Sequence, residues 1–144
     1  MRFLIYIFFN IFLINILYAD NIGTLNINIK DIKSNKGDIY LSICPKDVFE
    51  AKEEKKDYSK CPKFEKRQVS ASENYSFTFK NIPFGEWAIF GYVDENLNGI
   101  MDSNFIGIPK EPIIFIKKIK RKPTFEDIKI VVNQDNQDIT VIAY

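Results

Sequence analysis

Three stretches of this chain change the character of their side chains at every residue, and that period of two constrains the fold more than any other feature. Leu25, Ile27 and Ile29 alternate with Asn26, Asn28 and Lys30; Ile39, Leu41 and Ile43 alternate with Tyr40 and Ser42; Tyr75, Phe77 and Phe79 alternate with Ser76, Thr78 and Lys80. Successive side chains of a strand point to opposite faces, so each stretch predicts a strand with one face on a core and one in water. Ser34-Asn35-Lys36-Gly37 supplies turn residues between the first two, which predicts an N-terminal hairpin. Trp87-Ala88-Ile89-Phe90-Gly91-Tyr92-Val93 is apolar on both faces and reads as a central strand, with Trp87, Ile89 and Val93 in the core. Residues 113–116, 128–132 and 139–144 add three candidates, about seven in all.

No amphipathic helix of any length interrupts these strands. Aromatic residues make up 15% of the chain, enough to fill a core between two sheets. The expected fold is all-β, an antiparallel β-sandwich of about seven strands on an immunoglobulin-like plan, with a closed barrel as the alternative.

The N-terminus has a different logic. Arg2 precedes an apolar run from Phe3 to Tyr18, broken only by Asn10 and Asn15, and the small Ala19 follows. This is the layout of a secretory signal peptide over residues 1–19, and the run falls short of the ~20 residues that span a bilayer. Cleavage after Ala19 leaves one domain, residues 20–144, in the periplasm or outside the cell. An uncut anchor in the inner membrane is the other reading. The chain carries 20 basic and 19 acidic residues, and loss of Arg2 makes the mature part neutral, so nothing in its charge calls for nucleic acid.

Cys44 and Cys61 both lie in the exported part, where disulfides persist. They flank the charged part of an excursion, Pro45 to Pro62, that predicts a short helix or ordered loop. Closing it could add about 3 kcal/mol. A redox pair is the competing use of two cysteines, but CxxC spacing is absent.

Three motifs follow one another in order: Asn81-Ile82-Pro83-Phe84-Gly85 before the central strand, Asp94-Glu95-Asn96-Leu97-Asn98-Gly99-Ile100-Met101-Asp102 after it, and Gly107-Ile108-Pro109-Lys110-Glu111. Over residues 81–111 the chain resembles the exported bacterial proteins grouped as domain of unknown function 2141. The resemblance implies a sandwich similar to transthyretin and to the regulatory domains beside carboxypeptidases, and no known activity. Two departures stand out. The family often has His where this chain has Val93, and its Gly-Phe-Ser-Asn-Asn stretch is replaced here by residues 114–118.

In physical terms, Asp94, Asn96 and Asn98 at alternate positions can aim oxygens at one centre. Gly99 permits the sharp turn, and the Ile100 carbonyl and the Asp102 carboxylate extend the set toward a hard-cation shell. The first half of an EF-hand loop has this order. Its twelfth position falls on Phe105, so a calcium ion here needs a further ligand such as Glu95 or Glu111. The alternative is a metal-free connection whose Asp and Asn side chains bond their own backbone.

A basic run, Lys117, Lys118, Lys120, Arg121 and Lys122, offers weak contact with anionic head groups, or else a solvated loop whose lysines guard a strand edge. Catalysis has few resources, because the chain has no His and no nucleophile elbow. The leading expectation is a non-enzymatic binding or accessory module whose partner is an envelope protein or ligand. An envelope-anchored structural protein comes second, and a hydrolase using Asp94, Asp102 and Glu111 third.

Overall fold

The computed structural model describes residues 21–51, 61, 63–69 and 74–144. The expected signal segment and most of the excursion before Cys61 lie outside the described residues. Eight strands and two single-turn helices are present among them: β1 (Ile22–Lys30), β2 (Asp38–Cys44), α1 (Lys46–Phe49), β3 (Lys63–Gln68), β4 (Tyr75–Pro83), β5 (Gly85–Asp94), β6 (Ile113–Phe115), α2 (Phe125–Ile128), β7 (Lys129–Val132) and β8 (Asn136–Ala143). No helix among the described residues is long and apolar enough to cross a membrane.

Hydrogen bonds link the strands in the order β3-β2-β5-β6-β8-β1-β4. β5 is long enough to take two neighbours on one edge, β7 along Gly85–Ala88 and β6 at Gly91 and Tyr92. The two ends of the path nearly meet: from β3, Arg67 Nη1 donates to the Ser76 carbonyl of β4 at 2.9 Å, and its guanidinium lies 4.8 Å from the Phe77 ring centroid. The sheet thus curls almost into a closed wall around one interior.

The alternating rows point into that interior. Leu25, Ile27 and Ile29 of β1, Ile39, Leu41 and Ile43 of β2, and Tyr75, Phe77 and Phe79 of β4 share one buried cluster with Ile89 and Val93 of β5. β5 also buries its outer face, where Ala88 and Phe90 pack with Cys44, Phe49 of α1, Phe115, and Phe125 and Ile128 of α2. This second cluster explains why β5 is apolar on both sides. Gly91 is required between them, since a Cβ there would sit 2.3 Å from the Tyr40 carbonyl of β2.

Four expectations change. The sheet is mixed rather than wholly antiparallel, because β1 pairs in parallel with β8 along Thr24–Lys30. β1 and β2 do not form a hairpin: β1 lies between β4 and β8, and β2 between β3 and β5. Asp31 and Gly37, with φ of 64° and 105°, redirect the chain, and Gly37 packs so closely on the end of β5 that a Cβ would lie 2.3 Å from the Asp94 carbonyl. An eighth strand, β3, lies just past the Pro45–Pro62 excursion, where the sequence reading placed no element; the excursion itself opens with a single turn of helix over Lys46–Phe49, as expected, before it leaves the described residues. Finally, Trp87 is half-buried rather than in the core, pairing with Ile130 near the start of β5 while its indole N–H donates to the Pro83 carbonyl at 2.9 Å.

Candidate functional site: the loop between β5 and β6

β5 ends on Asp94, which is fully buried, and the chain travels through residues 95–112 before β6 begins. The expected ligand residues are brought together in the first half of this loop. Asp94 Oδ1 accepts the Asn98 amide at 3.2 Å and Oδ2 the Gly99 amide at 2.7 Å. Asn96 Oδ1 accepts the Asn98 amide at 3.0 Å, and Asn98 Oδ1 accepts the Ile100 amide at 2.9 Å. Asp102 Oδ2 receives the side-chain amides of Asn96 at 2.5 Å and Asn98 at 3.1 Å. Short polar side chains at alternate positions bond the backbone just ahead of them, which winds the chain into consecutive turns. Gly99, with φ of 79°, supplies the left-handed step.

Glu111, on the return arm, ties the loop shut. Its Oε1 accepts the Glu95 amide at 3.0 Å and its Oε2 the Asp102 amide at 3.1 Å. Burial pushes its carboxyl above the ordinary carboxylate range, against the pull of those two amides. From β5, the Tyr92 hydroxyl donates to the Gly99 carbonyl at 3.2 Å, and its ring stacks on Tyr40 of β2 with centroids 5.0 Å apart. Ser34, in the β1–β2 connection, donates to Glu95.

Each of Asp94 Oδ1, Asn96 Oδ1 and Asn98 Oδ1 accepts one amide and so keeps a second lone pair. With the Ile100 carbonyl and Asp102 this donor set is all oxygen, the chemistry of a calcium ligand shell. Among the described residues no three acidic, Cys or His side chains converge, so a cation here would depend on Asn and carbonyl oxygens.

The second half of the loop holds what the sequence reading missed. Ser103 and Pro109 pair as an isolated antiparallel bridge, and Asn104 organises the turn between them. The Asn104 amide donates to the Ile108 carbonyl at 2.8 Å, and the Gly107 amide to the Asn104 carbonyl at 2.9 Å. The Asn104 side chain accepts the amides of Ile106 at 3.1 Å and Ile108 at 2.9 Å. On this small hairpin Phe105 is 98% exposed, Ile106 64% and Ile108 54%; Leu97 and Ile100, earlier in the loop, are 65% and 62% exposed. Five of the seven large apolar side chains exposed among the described residues therefore stand on one loop. The available signal was an uncharged run, residues 103–109, with no alternation and no strand to bury it.

Elsewhere, Cys44 and Cys61 form a disulfide, with Cα atoms 5.1 Å apart, that ties the end of β2 to the segment before β3. All five residues of the basic run are exposed. Arg121 is committed to Asp127 through two bonds of 2.7 and 2.8 Å, and Lys118 lies over the Tyr144 ring at 5.9 Å. The Tyr144 hydroxyl accepts the Ile119 amide at 2.5 Å, while its backbone pairs with Ile113 at the start of β6. One tyrosine thus spans from β6 to the basic run.

The pattern defining a family described as an uncharacterized protein conserved in bacteria (DUF2141) matches residues 27–140. The chain belongs to DUF2141. That match runs from β1 into β8 and includes the whole 95–112 loop, so the turns, the Glu111 clamp and the hairpin are parts of a DUF2141 domain rather than an appendage to one. No curated protein and no solved structure matches the chain.

Proposed function

We propose that this DUF2141 chain is an exported, non-enzymatic binding or accessory module, a sandwich-like domain of the transthyretin kind, that meets its partner with the 95–112 loop. The observation that carries this reading is the gathering of Leu97, Ile100, Phe105, Ile106 and Ile108 in exposed positions on that one loop. Exposed apolar side chains gathered on one loop point to an interaction site, and loops on a rigid scaffold are where binding is placed. Export is supported by the signal-like residues 1–19 and by the Cys44–Cys61 pair, which persists where conditions are oxidising. A photo-crosslinker at position 105, in cells carrying the full chain, tests the reading. It should capture an envelope component, and Phe105→Ser with Ile106→Ser should abolish capture by a probe at position 100. No capture at either position would end the proposal. An N-terminus beginning at Asp20 in a soluble extract would separate this module from the anchored structural protein.

Calcium fits the same reading as a stiffener of the first half of the loop. Two carboxylates, Asp94 and Asp102, with neutral oxygens suggest a dissociation constant of roughly 0.1–1 mM. Protein stripped with chelator should gain melting temperature in millimolar calcium, and Asp94→Ala and Asp102→Ala should each remove the gain. An unchanged melting temperature would mean that the loop is held by its own amide bonds alone.

A further inference from the structure

We propose that the partner is a lipid bilayer bearing anionic phospholipid, into whose acyl boundary the 103–109 hairpin inserts Phe105, Ile106 and Ile108. The inference rests on the reading that the 95–112 loop is the binding end. Three observations favour a bilayer over a protein surface. Contact with the acyl boundary costs less where backbone amides are satisfied beforehand, and three amides of the apex, those of Ile106, Gly107 and Ile108, are bonded to Asn104. The same bonds leave these three amides nothing to offer an incoming strand. Between Asp102 and Lys110 no residue is charged, so the apex dehydrates no ion as it enters.

The third observation is complementarity of charge. The basic run is roped to the start of β6 by Tyr144, one residue beyond Pro112, where the loop ends. Lys117, Lys118, Lys120 and Lys122 are exposed, as is Lys110 at the base of the hairpin. Exposed lysines tied to the base of a loop with an apolar apex suit anionic head groups above an acyl layer. A hairpin of this size reaches about the 5–10 Å that interfacial segments penetrate. The N-terminal end of β1 pairs with Pro83, at the other end of the sheet from Asp94 and the hairpin.

The test uses the full chain as its cells export it, with vesicles of phosphatidylcholine alone or with 30 mol% (about one lipid in three) phosphatidylglycerol. Co-sedimentation with the mixed vesicles should fall at least about tenfold for Phe105→Ser with Ile106→Ser, while the melting temperature stays unchanged because both side chains are exposed. Half-molar salt should weaken binding without abolishing it. In a second arm, brominated acyl chains should quench the indole introduced by Phe105→Trp and spare Trp87, which lies toward the opposite end of β5. Equal binding by parent and double variant, or no quenching, overturns the inference. If vesicles fail while the crosslinker at 105 captures a protein, the loop remains the binding end and the bilayer is excluded. If both fail, the functional reading falls as well.

Discussion

Glu111 and Asp127 are both bonded to backbone amides, yet their environments push them in opposite directions. Burial raises Glu111, so between its ordinary value and its folded value the native state holds a proton that the unfolded chain has released. Stability therefore declines as pH rises through the folded value and is level beyond it. Glu111→Gln should erase that decline, and it should cost about 1–2 kcal/mol at neutral pH, because the carboxamide keeps one acceptor oxygen and its nitrogen cannot accept the second amide. Asp127 is lowered, first by the Thr124 amide, then by the Thr124 hydroxyl and by Arg121. Its contribution is in place above the ordinary Asp range and disappears as pH falls toward the folded value. Asp127→Asn should flatten the acid limb of a melting-temperature profile taken from pH 2 to 7, since the capping box of α2 and the Arg121 pair both depend on it. Parent and Asp127→Asn profiles of equal slope below pH 4 would contradict this.

At the scale of elements, the disulfide closes a loop with a sequence separation of 17, and Cys44→Ala with Cys61→Ala should cost about 3 kcal/mol in a denaturant titration. Gly91→Ala should cost more than about 2 kcal/mol, because β2 would have to move away from β5 along its centre. Trp87→Ala should cost only about 2 kcal/mol, less than a fully buried aromatic, given its half-buried place. All seven strands anticipated from alternation or apolar runs are present, because burial of one face writes a period of two directly into residues such as Leu25, Ile27 and Ile29. β3 escaped because Lys63-Phe64-Glu65-Lys66-Arg67-Gln68 sits at one end of the ladder, and its residues from Glu65 to Gln68 are exposed. Turn chemistry at Ser34–Gly37 correctly marked a change of direction. It carries no information about which strand receives the chain, and the hairpin expectation failed there.

For the whole molecule, two apolar clusters on either side of β5 replace the single core between sheets. The outer one depends on Phe125, which is fully buried on a helix of four residues, so Phe125→Ala should cost about 3–5 kcal/mol and free both helical turns from β5. The polar half of the 95–112 loop was legible from the spacing of Asp94, Asn96, Asn98 and Asp102, because local side-chain to backbone bonds are encoded locally. Its apolar half was not, because exposure of Phe105 and Ile106 depends on what fails to cover them.

The parallel partnership of β1 and β8 sets a timetable as well as a shape. Asn26 is bonded to Asn136 and Asp138, at separations of 110 and 112 residues, so the strand made first waits for the strand made eighth. Pairing of strands so distant in sequence is slow, on the order of milliseconds to seconds. During synthesis the chain can collect its hydrophobic rows but cannot finish the wall that encloses them. A polypeptide with that schedule stays threadable until β8 has been made, and removal of residues 136–144 should hold it there, collapsed and open, with the edges of β1 and β6 unpaired.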